Sequence, residues 1–242
     1  MNVSLFITCL SDVFFPNVGK SAVDVLRKYG VRVDFPEAQT CCGQPAYNSG
    51  YQKEAREAAR HMIEVFSASE YVVAPSGSCV AMIRHYYPEL MKDDEEWSRK
   101  AQALANKTYE FSEFLVQVLQ VADVDAVFSA RATYHHSCHM SRGLGIRTEP
   151  TSLLSKVAEL EMEELPYCQD CCGFGGTFAA KMSTISEAMV DEKVENIAAT
   201  GARVLIGSDM GCLMNIGGRL QRTGRDIEVM HVAEVLAKGG AK

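Results

Sequence analysis

Two Cys-Cys-Gly triplets, Cys41-Cys42-Gly43 and Cys171-Cys172-Gly173, constrain this chain more than any other feature. Each lies between a lone upstream cysteine, Cys9 or Cys138, and a lone downstream one, Cys79 or Cys212. Corresponding cysteines are 129, 130, 130 and 133 residues apart. A near-constant offset marks a repeated structural unit. Here the unit is about half of the 242 residues, so two sister subdomains, 1–123 and 124–242, are expected. The flanks agree: Tyr71-Val72-Val73-Ala74 leads to Cys79 as Val204-Leu205-Ile206-Gly207 leads to Cys212. The segment Glu110 to Leu115 likewise resembles Met230 to Val235.

Hydrophobic spacing places the cysteines on elements. Val18, Ala22, Val25 and Tyr29 share a helical face that Gly30 ends, and Val31 to Phe35 reads as a short strand. Ala55, Ala59, Met62 and Phe66 mark a second helix, and Tyr71 to Ala74 a buried strand. In the second half, Leu154, Val157 and Leu160 predict a helix. Val190, Val194 and Ile197 predict another, with Arg203 to Ile206 as a strand. Alternating strands and amphipathic helices predict an α/β fold of two tandem, pseudo-symmetric, Rossmann-like βα subdomains with parallel sheets. The polar run from Lys92 to Lys107 reads as a solvated helix or an excursion near the junction.

The chain is 47% hydrophobic and 23% charged, enough for a sizeable core. Its net charge of −7, without a basic block, argues against nucleic acid and anionic membranes as partners. No stretch reaches the ~18 apolar residues of a transmembrane helix. The start, Met1 to Ile7, lacks the basic region and cleavage site of a signal peptide, so a cytoplasmic location is expected. In that reducing setting nine cysteines point to metal or redox chemistry, not to disulfides.

Ligands of parallel α/β sheets gather at the carboxyl ends of strands. Cys9, Cys79, Cys138 and Cys212 follow predicted strands, and each Cys-Cys-Gly loop follows the second strand of its half. Four thiols from three loops therefore converge at one edge in each half, and thiolates are the preferred ligands of iron–sulfur clusters. Adjacent side chains in extended backbone point opposite ways, so a Cys-Cys pair serves one site only if the loop bends, which glycine permits. Gly173, Gly175 and Gly176, and more thinly Gly43, let backbone N–H groups approach the sulfurs.

Zinc and a redox dithiol are the alternatives. A structural zinc site usually draws on two C-x₂₋₄-C knuckles, which neither half has. A disulfide within an adjacent pair would be strained. Cys168 stands outside the repeat, in the C-x-x-C match Cys168-Gln169-Asp170-Cys171, as an extra ligand, a redox partner or a bystander. His135, His136 and His139 flank Cys138, where the first half has Phe6, Ile7 and Leu10. They read as strand-end histidines or as ligands of the second site. There is no complete GxGxxG, P-loop or GxSxG motif.

The paired pattern resembles the cysteine-rich CCG domain found in heterodisulfide reductase and in the iron–sulfur subunits of glycolate oxidase and anaerobic glycerol-3-phosphate dehydrogenase. Cys41-Cys42-Gly43-Gln44-Pro45-Ala46-Tyr47-Asn48-Ser49-Gly50 and Pro75-Ser76-Gly77-Ser78-Cys79 are similar to the bacterial lactate utilisation protein A family. That resemblance implies an iron–sulfur electron-transfer subunit in a system oxidising L-lactate to pyruvate, with companion lactate utilisation proteins B, itself an iron–sulfur protein, and C. It implies that Cys9, Cys41, Cys42 and Cys79 hold a first cluster, and Cys138, Cys171, Cys172 and Cys212 a second. The family's downstream C-x-x-C is incomplete, with Ser76 and Asp209 in place of its first cysteine. Two [4Fe–4S] clusters are then expected, or a non-cubane form with Asp209 as an oxygen ligand. A thiol–disulfide oxidoreductase of the heterodisulfide reductase type and a non-redox zinc or thiol scaffold are the competing functions.

Overall fold

The computed structural model describes residues 1–239. Among them the chain forms two compact units, Met1–Leu119 and a second from Gln120 onward. The first is built on a four-stranded sheet of β1 (Asn2–Leu5), β2 (Arg32–Asp34), β3 (Tyr71–Ala74) and β4 (Thr108–Glu110), in the order β2-β1-β3-β4. The second has β5 (Val127–His135), β6 (Ala158–Glu163), β7 (Val204–Gly207) and β8 (Glu228–His231), in the order β6-β5-β7-β8. Every neighbouring pair is parallel. This is the expected Rossmann-like α/β architecture, made twice.

The central strands are apolar because helices bury them: Val3, Leu5, Val72, Val73 and Ala74 in one unit, and Val204, Leu205 and Ile206 in the other, are all at most 4% exposed. The helix Pro16–Lys28 shows how local signals agree. Proline stands in its first turn, Val18, Ala22, Val25 and Leu26 are buried along one face, and Arg27 and Lys28 sit at the carbonyl end. Gly30 ends it at φ 73°. Each such buried Val or Leu contributes about 1.5–3 kcal/mol. The polar run from Lys92 is the helix Glu95–Asn106, capped by Asp94 and anchored by Ala101, Leu104 and Ala105.

Strand order positions the sites. The chain leaves β1 for β2 on one side, then returns across β1 to β3 on the other. That reversal opens a crevice at the carboxyl ends of β1 and β3, where parallel sheets bind ligands. Cys9 follows β1 and Cys79 follows β3, and the second unit repeats this with Cys138 after β5 and Cys212 after β7.

Three expectations are corrected. The helix expected around Leu154, Val157 and Leu160 is the short helix Glu149–Leu154 followed by β6. Ala158-Glu159-Leu160-Glu161-Met162-Glu163 alternates with period two, and its glutamates suit an edge strand. Cys9 does not follow its strand directly: the strand is Asn2–Leu5, and Cys9 opens the helix that comes after residues 6–8. The similarity of the two ends is shifted by one residue. Glu110 with Glu113, and His231 with Glu234, form equivalent capping boxes, so Glu110 corresponds to His231. Among the described residues no helix is long and apolar enough to cross a membrane.

Candidate metal centres

In the first unit the thiols form a chain. Cys9 opens the helix Cys9–Phe14, and its Sγ lies 3.9 Å from the Sγ of Cys41. Cys41 also hydrogen-bonds Cys42, whose Sγ is 3.6 Å from that of Cys79 in the helix Gly77–Ala81. The same order runs through Cys138, Cys171, Cys172 and Cys212 in the second unit. All eight cysteines in the repeat are free thiols, ranging from exposed Cys9 to buried Cys42, Cys172 and Cys212.

The loop glycines do more than bend the chain. Gly43 and Gly173 both have φ 82°, a left-handed conformation that side chains disfavour. A Cβ on Gly173 would lie 2.6 Å from the carbonyl oxygen of Ser186, and one on Gly43 would lie 3.0 Å from Ala58 Cβ. The backbone can therefore turn against the following helix, and the Gly173 N–H reaches Cys171 Sγ at 3.4 Å. The second cysteine of each pair is anchored through its carbonyl. Tyr87 donates to Cys42 O at 2.9 Å, and Asn215 donates to Cys172 O at 2.8 Å.

Electrostatics fits a cation in the midst of these thiols. Hydrogen bonds from Cys42 and Cys9 and from the Gly43 N–H hold the Cys41 thiol down at about 3. Cys9 is pushed up by its bond to Cys41 and by burial, and Cys42 by its bonds to Cys41 and Cys79. The second unit repeats this, with Cys171 held down by Cys138 and Cys172 while both partners are pushed up. In each unit the first cysteine of the pair is thus held down while its two hydrogen-bonded neighbours are pushed up, and metal ligation would draw the protons off those neighbours.

The remaining predicted residues have distinct places. Asp209 is the N-cap of the helix Met210–Arg222, its Oδ1 accepting from Gly211 N at 3.1 Å. Ser76 caps the equivalent helix, its Oγ accepting from Cys79 N at 3.3 Å. Both therefore shape the loop that presents a cysteine. Cys168 lies on the loop held by Lys193, whose ammonium donates to Tyr167 O at 2.7 Å. His139 Nδ1 is 3.8 Å from Cys138 Sγ. His135 is 1% exposed, and one of its ring nitrogens lies with Cys172 Sγ and Cys212 Sγ in a group whose members are all within 4.8 Å of one another. Burial, helped by Lys193, lowers its pKa to about 3, so it is neutral.

Lys193, 1% exposed, is a functional candidate that helical spacing alone hides. It lies one turn beyond Met189, the residue that packs on Gly173, as Met62 lies one turn beyond Ala58. Met62 Sδ accepts from Thr40 N where Lys193 donates. The signal in the sequence is a charged residue on an otherwise apolar stripe of Val190, Val194 and Ile197.

The cysteine-rich CCG domain family matches residues 3–84 and 132–217, one copy in each unit. The chain is 64% identical to "Lactate utilization protein A 2" of Bacillus cereus strain 03BB102 over 239 residues, covering 99% of each chain. It is 61% identical to "Lactate utilization protein A" of Halalkalibacterium halodurans, covering 98% of this chain and 96% of the relative. A solved structure of a hypothetical Helicobacter pylori protein superimposes with a TM-score of 0.71 at 12% identity over 100% of this chain. This chain spans about half of that protein, 49% of its length, and the likeness is one of fold.

Proposed function

The chain belongs to the lactate utilisation protein A family, with two cysteine-rich CCG domains, and on that premise we propose that it is the iron–sulfur electron-transfer subunit of an L-lactate-oxidising system. The observation that carries this reading is the convergence of four thiols at the same strand ends in both units. Cys9, Cys41, Cys42 and Cys79 would hold one centre, and Cys138, Cys171, Cys172 and Cys212 the other. Thiolate-bound iron–sulfur clusters supply one-electron transfer. Oxidation of lactate to pyruvate releases two electrons and two protons, so two one-electron centres match one turnover.

The rest of the reading concerns access. Cys9 is exposed, and Val13 and Phe14 on its helix are 67% and 62% exposed. Tyr167, beside the second cysteine loop, is 70% exposed. Apolar side chains bordering thiol sites suit docking of partner chains, here the companion proteins B and C. The two domains, cytoplasmic in this reading, would pass electrons from the oxidation site to an acceptor. Asp209 and Ser76 are assigned to helix capping, which leaves four cysteines per centre.

A second reading has a specific observation in its favour. The Sγ separations of 3.6 and 3.9 Å approach the edge of a tetrahedron with zinc–sulfur bonds, about 3.8 Å for bonds of about 2.3 Å. A larger cluster would require the thiols to rotate apart. Against zinc, each unit already has a four-stranded sheet and a core of its own, so a structural ion is not needed to fold it. The test is to mix anaerobic chain with companions B and C and add L-lactate. The proposal predicts bleaching of this chain's visible absorbance only in the complete mixture. Full lactate oxidation by the chain alone, or no bleaching in the complete mixture, would refute it.

A further inference from the structure

The two centres are not equivalent, and the difference lies behind the cysteines. Three residues before the first cysteine, the first unit has Phe6 and the second has His135. Phe6 is fully buried and packs edge-on against Phe66, 5.8 Å between ring centroids. His135 is equally deep, but neither ring nitrogen has a hydrogen-bond partner among the described residues. A buried imidazole without partners costs free energy that a phenyl ring would not. The ring is not held there by lack of an alternative, since the first unit shows that Phe fits the same strand position.

One ring nitrogen of His135 groups with Cys172 Sγ and Cys212 Sγ. Those two thiols are buried, so His135 meets the site from its inner side, whereas His139 stands beside the less buried Cys138. We infer that His135 is a nitrogen ligand of the second centre in place of one of its four thiolates, so that the first centre is all-thiolate and the second mixed thiolate and imidazole. This rests on the proposal that the thiol clusters hold metal. A neutral nitrogen donor puts less negative charge on iron than a thiolate does, and such replacement raises reduction potentials. The buried Lys193 ammonium near the second site, where the first unit has Met62, acts in the same direction. The second centre is therefore the better electron acceptor of the two.

The test uses the full chain, prepared without oxygen, with natural-abundance or ¹⁵N-labelled histidine. Metal content is measured on the same samples, followed by reduction and pulsed electron paramagnetic resonance. The expected result is a histidine-nitrogen coupling that changes with the label and is lost in His135→Phe, the residue of the first unit, and in His135→Gln. A His139→Ala variant keeps it. Redox titration of wild type shows two steps, of which the upper moves down in His135→Phe. Iron-loaded protein without a histidine coupling, or with a coupling that survives His135→Phe, overturns this inference while leaving the electron-transfer proposal standing. If zinc replaces iron, X-ray absorption at the zinc edge decides, and an all-sulfur shell in both units overturns it. Protein that takes up no metal overturns both. Label dependence in wild type needs no variant, so misfolding of a substituted chain does not blunt the test.

Discussion

The hydroxyl of Tyr87 donates to the carbonyl of Cys42 at 2.9 Å, with both residues buried. That bond ties the Cys-Cys-Gly loop to the helix Tyr87–Leu90. Tyr87→Phe leaves the Cys42 carbonyl without this donor, and a buried group stripped of its partner costs about 1–3 kcal/mol. Urea unfolding of metal-free protein is expected to show a loss in that range. Metal release from the first unit should also be faster, followed with a chromogenic chelator. An unchanged midpoint and release rate would mean the loop is held elsewhere.

Gly43 and Gly173 share φ 82° but not their surroundings. An alanine at either position costs about 1–2 kcal/mol for the left-handed backbone. Gly173→Ala adds a contact of 2.6 Å with a backbone oxygen, which cannot yield as easily as the Ala58 methyl 3.0 Å from Gly43. Denaturant midpoints should therefore fall further for Gly173→Ala than for Gly43→Ala. Equal losses would show that the clash is relieved by a small shift of the helix.

Arg84 clamps Glu113 through two bonds of 2.9 and 2.7 Å, and its Nε donates to Thr108 O at 2.7 Å. Glu113 is only 7% exposed and also accepts from Glu110 N. Arg84→Ala strands a buried carboxylate, and breaking such a pair from one side costs about 3–5 kcal/mol. A loss below about 1 kcal/mol in chemical denaturation would place the pair in solvent.

Glu110 gives a pH dependence with a definite sign. Burial pushes its carboxyl up from 4.5 to about 7. A carboxyl with a raised folded-state pKa favours the folded state while protonated. Its contribution therefore falls as pH rises from about 4.5 to about 7, by up to about 3 kcal/mol. Relative to wild type, Glu110→Gln should gain stability across that window and level off above it. A stability difference independent of pH between 4 and 8 would contradict this.

The cysteine spacing makes the duplicated fold legible, because a site needing four thiols from three loops records its geometry in the chain. Gly30 and the stripe through Val18, Ala22 and Val25 likewise reveal their helix, since periodicity and stop signal agree. β6 is masked because Leu154, Val157 and Leu160 happen to recur every three residues, although the Glu alternation from Ala158 carries the strand signal. Contacts between distant segments leave no local mark. Nothing near Cys42 announces Tyr87, and nothing near Cys171 announces Lys193. The helix that Asp209 caps is likewise not announced by its place beside Cys212.

The central claim is that both units hold iron. Iron, acid-labile sulfide and zinc should be measured per chain on protein purified without oxygen. About eight irons with matching sulfide are predicted, one four-iron centre in each unit. Protein that takes up no iron on anaerobic reconstitution, with zinc or bare thiols in its place, would contradict the electron-transfer account and leave a thiol-bound scaffold.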